Sequence, residues 1–166
     1  PVGSAGTQML PESQLDRFMI KLSMGYPDPA SEIAILKDRQ GANPLNDVKQ
    51  VVDGKDIVMM QEETDNLHMD DAIIEYITML SFATRQNPLI ELGVSPRGSI
   101  ALAGMSKAKA YISGRTYVTP EDVQSIFKDV AGHRIILNPR AKISSVTVDE
   151  VIDNIFHTVP VPRAMR

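Results

Sequence analysis

The chain has 166 residues, a net charge of −4 and no cysteine, with 43% hydrophobic and only 5% aromatic residues. These totals exclude disulfides, thiolate nucleophiles and Cys-based metal sites, and they argue against a nucleic-acid surface built on phosphate contacts. No apolar run approaches the roughly 18 residues of a membrane span, the core must be built from Ile, Leu, Val, Met and Ala, and a cytoplasmic protein is the simplest fit.

The opening stretch, Pro1 to Gly6, has no initiating Met and reads as a loop cut in the middle, so a fragment is expected. It is neither basic nor followed by an apolar block, as a secretory signal would be. A short helix is predicted around Ser13 to Arg17, anchored by Leu15. Phe18, Ile20, Leu22 and Met24 alternate with polar or smaller neighbours, which predicts a strand over 18–24 that Gly25-Tyr26-Pro27-Asp28 breaks.

From Asp28 onward the pattern is helical. Asp28 before Pro29 caps a helix to about Gln40, whose apolar residues are Ile33, Ile35 and Leu36. A loop with Pro44 follows. Asp53 and Asp56 form a capping pair with Val52 and Ile57 at the staple positions, for a helix to about Asn66. Asp70 caps the next, to about Arg85, with Ile73, Ile77 and Leu80 at helical spacing. Gln86 to Val94 reads as a loop. Ser95 caps an Ala-rich helix to about Gly114; Ala101, Ala103, Ala108 and Ala110 permit close approach of another helix. Thr119-Pro120-Glu121-Asp122, with the Val118/Val123 staple, starts a helix to about Val130 or Ala131. Ile135 to Leu137 reads as a short extended piece. Thr147 and Glu150 form a capping box for a last helix to about Phe156, and Val159-Pro160-Val161-Pro162 is an extended tail.

Self-contained catalytic chemistry is absent from this pattern. Gly54-Lys55-Asp56 has the dipeptide of a phosphate-binding loop but neither the upstream glycine nor the hydroxyl residue. His68, His133 and His157 are too scattered for a metal site. The paired acids Glu62-Glu63 and Asp70-Asp71 read as solvated helix charges, and the methionines as core filler.

Two arginines stand out. Arg97 lies in the first turn of the helix capped by Ser95, at the positive end of the helix dipole, where a cation is disfavoured unless an anion comes to it. Its bland reading is a solvated surface arginine. Arg17 lies between a Pro-containing turn and the predicted strand. Arginine suits phosphate oxygens because its planar fork stays charged and binds at two points.

The blocks Gly6-Thr7 with Leu10-Pro11-Glu12-Ser13-Gln14-Leu15-Asp16-Arg17-Phe18, then Gly25-Tyr26-Pro27, Gly93-Val94-Ser95-Pro96-Arg97, Gly114 to Val123, and His133-Arg134 follow one another in an order that resembles MoxR-type AAA+ ATPases over nearly the whole chain. The resemblance implies a mainly α fold: an AAA+ helical lid bundle of five to six helices over 29–166, preceded over 1–28 by a remnant loop and strand of the α/β nucleotide-binding core. The phosphate-binding loop, the Mg²⁺-binding acids and sensor 1 would precede Pro1, which itself would be the surviving proline of the sensor 1 Asn-Pro pair.

By the same resemblance Arg17 matches the arginine finger, which acts in trans on the neighbouring subunit's ATP, and Arg97 matches sensor 2, which touches the subunit's own nucleotide. Glu12 and Asp16 would position the finger loop; His133-Arg134 is a further shared block to which the resemblance assigns no role, and local packing is its plain reading. The implied whole is a bacterial, cytoplasmic, chaperone-like remodelling ATPase using ATP and Mg²⁺. It would form a homo-oligomeric ring, a hexamer, with a von Willebrand factor A domain protein as partner. The fragment itself is expected neither to bind a cofactor nor to hydrolyse ATP. The alternative is a stand-alone helical protein–protein interaction module without nucleotide function.

Overall fold

The computed structural model describes residues 10–41 and 43–162. Pro1, Gly6 and Thr7, which carry part of the resemblance and the sensor 1 expectation, lie outside them. The described residues are mainly helical. In chain order they form α1 (Glu12–Leu15), α2 (Pro29–Asp38), a 3-10 turn (Pro44–Asp47), α3 (Gly54–Asp65), α4 (Asp71–Gln86), β1 (Ile90–Leu92), α5 (Pro96–Ile112), α6 (Pro120–Ala131), β2 (Ile136–Leu137), α7 (Pro139–Ile143) and α8 (Val148–Thr158).

The helix starts obey local cap chemistry. Asp28 accepts the Ser31 N–H at 2.7 Å, Asp70 the Ala72 N–H at 2.8 Å, and Ser95 the Gly98 N–H at 3.2 Å. Asp53 accepts from Lys55 and Asp56 while Asp56 accepts the Asp53 N–H at 2.8 Å, so the all-Asp capping pair works as a reciprocal box. Thr147 and Glu150 close a true capping box. α6 ends at Ala131 as expected, and the ends of α2, α3, α4, α5 and α8 differ from expectation by one or two positions, as fraying ends do.

The chain divides into two units, one of residues 22–63 and one joining residues 64–166 to the stretch that ends at Lys21. In the smaller unit, α2 and most of α3 bury none of their described residues; Ile33, Ile35, Leu36, Val58 and Met59 are all exposed.

The larger unit holds the core. α4, α5, α6 and α8 enclose Leu80, Leu102, Val123, Phe127, Val130 and Ile152, none more than 1% exposed. α5 and α6 make the most extensive contact. Small residues on α5, Ala101, Ser106 and Ala110, are buried, so the α5 backbone comes close to its neighbours as its alanine content predicts. Phe127 and Phe156 meet edge to face at 5.4 Å between centroids. β1 pairs antiparallel with β2, Ile90 opposite Leu137 and Leu92 opposite Ile136, with an irregularity between.

Three departures from expectation are local. Residues 18–24 form no strand. A strand needs a neighbouring ladder, and among the described residues none runs beside them; instead Lys21 donates its backbone N–H to Asp129 O at 2.9 Å and Ile20 packs on the core. The stretch read as a loop from Gln86 to Val94 contains β1, because the extended piece at Ile136–Leu137 offers it a partner. α7 was not foreseen, although Asn138-Pro139 opens it with the same chemistry as Asp28-Pro29: Asn138 accepts the Ala141 N–H at 2.9 Å.

Candidate functional site

The α5 start is built residue by residue onto the end of α4. Gly93 passes so close to Thr84 and Arg85 that a Cβ there would lie 2.8 Å from the Arg85 backbone N and the Thr84 hydroxyl. That hydroxyl accepts the Val94 N–H at 2.9 Å and donates to Ser81 O at 2.6 Å. Arg85 Nε donates to Val94 O at 2.7 Å. Val94 is buried, Ser95 caps, and Pro96 occupies the first helical position. Gly98 leaves room for Arg134, since a Cβ there would meet Val94 Cγ1 at 2.6 Å and Arg134 Cδ at 2.9 Å.

Every residue from Gly93 to Gly98 is thus spent on packing or capping except Arg97. Arg97 is exposed, its side chain without a hydrogen bond or ion pair among the described residues. Arg17 is likewise exposed, its side chain without a partner among the described residues, while its backbone N–H is fixed to Gln14 O at 3.1 Å.

Arg134 is their opposite. It is 5% exposed and every guanidinium N–H is used. Nε donates to Asp16 Oδ1 at 3.1 Å; Nη1 donates to Met19 O at 3.2 Å and to Val130 O; Nη2 donates to Asp16 O at 3.1 Å and Phe18 O at 2.6 Å. Burial pulls the Arg134 pKa down, and the Asp16 hydrogen bond and charge oppose it. A buried guanidinium persists only when paired and saturated in this way.

His133 adds a bond from Nε2 to Phe18 O at 3.0 Å. Burial, the largest influence, and the Arg134 charge hold its pKa below 6.5, so at neutral pH the ring is uncharged and donates through Nε2. The pair His133-Arg134, expected only to pack locally, therefore anchors the segment carrying Arg17. The sequence hid this because the partners lie 115 or more residues away.

Asp16 links both ends. Its carboxylate accepts the Ser95 hydroxyl at 2.9 Å as well as Arg134 Nε. An anion therefore does sit at the start of α5, as the dipole argument requires, but it is bonded to the cap and to Arg134, leaving Arg97 free.

The Gly114 to Val123 block is structural throughout. Gly114, at φ +72°, closes α5 in the left-handed conformation, and Arg115 N–H reaches back to Ala110 O at 3.0 Å. Arg115 then clasps Asp122 in two places, Nη1 to Oδ2 at 2.6 Å and Nη2 to Oδ1. Asp122 also accepts the Thr119 N–H at 2.8 Å. Burial would raise this carboxyl, but the Arg115 and Thr119 hydrogen bonds outweigh it and hold its pKa below the ordinary 3.8.

The known proteins similar to this chain bear on these residues. Residues 82–155 match the model of the AAA lid domain family. The chain is 40% identical to the uncharacterized protein YeaC of Bacillus subtilis, over 98% of this chain and 51% of that protein. It is 32% identical to the chaperone MoxR1 of Mycobacterium tuberculosis, over 98% of this chain and 45% of that one. A crystal structure of a "putative ATPase" from Cytophaga hutchinsonii superposes with a TM-score of 0.89 at 31% identity, covering 98% of this chain and 52% of the other. The chain thus spans about half the length of the curated relatives it matches over nearly its own whole length. Over nearly its whole length the chain is similar to about half of MoxR-type proteins, and within it residues 82–155 match an AAA lid domain.

Proposed function

We propose that this chain is the finger-and-lid part of a MoxR-type ATPase that couples ATP binding and hydrolysis to chaperone-like remodelling of partner proteins. In this reading Arg97 binds phosphate oxygens of the subunit's own ATP, and Arg17 reaches the γ-phosphoryl group of a neighbour's ATP across a homo-oligomeric ring, a hexamer. The phosphate-binding loop and the acids that hold Mg²⁺ belong to residues outside these 166. The ring works in the cytoplasm with a von Willebrand factor A domain protein.

The observation that carries the reading is the contrast among arginines. Arg134 is saturated by protein acceptors and Arg115 is pinned to Asp122 at two points, whereas the side chains of Arg97, Arg17 and Arg140 have nothing bound to them among the described residues, and of these three Arg97 and Arg17 lie in the blocks that carry the resemblance. Arg97 also stands in the first turn of α5, at the positive end of the helix dipole, which favours an anion beside it. Similarity to the chaperone MoxR1 supports the remodelling role by likeness alone.

In the complete protein, Arg97→Ala weakens ATP binding and lowers turnover. Arg17→Ala lowers turnover by about 1,000-fold or more, the range for a transition-state arginine. Mixed rings in which a subunit with Arg17 adjoins the mutant's nucleotide site recover activity. Phosphate release and equilibrium nucleotide binding measure all three. Undiminished turnover in either single variant removes the role given to that arginine.

A further inference from the structure

We propose that the hydrogen bond from Ser95 to Asp16 makes the placement of Arg17 answer to the nucleotide at the start of α5, so that Asp16, beyond positioning the finger loop, couples it to the first turn that carries Arg97. The inference rests on the reading of Arg17 and Arg97 given above and goes beyond it in naming what joins them within one chain.

The covalent link is short and stiff. Asp16 N–H bonds to Glu12 O at 2.9 Å, Arg17 N–H to Gln14 O at 3.1 Å and Phe18 N–H to Leu15 O at 3.1 Å, so consecutive turns bridge Asp16 and Arg17. The non-covalent link is equally direct. One Ser95 hydroxyl donates to the Asp16 carboxylate and accepts the Gly98 N–H, and Arg97 lies between Ser95 and Gly98 in the same turn. Arg134 fixes the other side of Asp16 and, by three backbone carbonyls, the chain on both sides of Arg17. A displacement of the first turn of α5 therefore pulls on the residue next to the finger.

Charge gives the link a direction. Asp16 already occupies the positive end of α5. An anion arriving at Arg97 competes with Asp16 for that same field, so the nucleotide interacts differently with the latched and released positions of Asp16. Such a difference is what coupling between two sites requires.

The test uses the complete protein and reads ATP binding and turnover separately. Asp16→Asn keeps the shape and removes the charge. The expected result is a fall in kcat of about tenfold to 100-fold, the loss that follows from a misplaced catalytic group. ATP binding tightens about threefold, because a screened like charge near the phosphates is gone. In an Arg17→Ala background the same change alters kcat by less than about twofold, since residues acting as one unit are not additive. Ser95→Ala repeats the kcat loss and Ser95→Thr restores it, which covers the case of an unstable Asp16 variant.

An unchanged kcat in Asp16→Asn, an equal fall in the Arg17→Ala background, or weaker ATP binding overturns the inference while leaving the assignment of Arg17 standing. Full turnover in Arg17→Ala alone brings down that assignment and this inference with it.

Discussion

Asp122 and Arg115 illustrate how a buried charge is tolerated here. Asp122 is 2% exposed and Arg115 29% in their side chains, and the pair is bidentate. Removing one partner of a buried pair leaves the other uncompensated, so Arg115→Met destabilises the fold by about 3 kcal/mol, the low end for such a loss. The pH dependence has a definite sign. The folded pKa of Asp122 lies below the ordinary 3.8, so its carboxylate contributes stability fully above that value and loses it as pH falls through the lower folded value. Arg115→Met is therefore expected to raise the acid-unfolding midpoint and flatten the pH dependence below pH 3.8, read by circular dichroism against pH. None of this was visible from the paired residue types alone, though the Thr119-to-Asp122 spacing did mark Asp122 as a helix-start acid.

At the scale of single elements, the informative contrast lies within α5. Gly98 and Gly104 occupy one helix, where alanine is ordinarily better than glycine by about 1 kcal/mol. At Gly104 an added Cβ meets open space, whereas at Gly98 it collides with Val94 and the stem of Arg134. Gly104→Ala should therefore stabilise by up to about 1 kcal/mol, and Gly98→Ala should destabilise by about 1–3 kcal/mol as an overpacked site. Urea unfolding of the two variants separates the cases. Helix starts were legible because capping is a matter of three or four neighbouring residues, as at Asp28, Asp53, Asp70 and Thr147. Strands were not, because pairing is a matter of partners. Ile90–Leu92 forms β1 only because Ile136–Leu137 lies beside it, and 18–24 fails to become a strand for want of such a neighbour among the described residues.

For the whole molecule, the candidate site was half legible. The oddity of a cation at a helix start singled out Arg97, and the surroundings of Arg97 and Arg17 leave both available. The residues that hold the site in place, Arg134, His133 and Ser95 with Asp16, are brought together only by the fold, across 79 to 118 positions of sequence. Nothing local to Arg134 announces five acceptors. The proposed division of labour makes a simple prediction for the 166 residues by themselves: incubated with Mg²⁺ and ATP, the purified chain releases phosphate no faster than buffer. Clear Mg²⁺-dependent release would mean that the chain carries its own catalytic groups.

The grip of Arg134 on the main chain has a consequence for variation. It reads the carbonyl oxygens of Asp16, Phe18 and Met19, and a carbonyl oxygen is the same whatever side chain its residue bears. The side chains of Phe18 and Met19 point outward, 55% and 57% exposed. Changes to those two side chains therefore leave the clasp itself intact, whereas a shorter residue at position 134 loses all three carbonyl bonds.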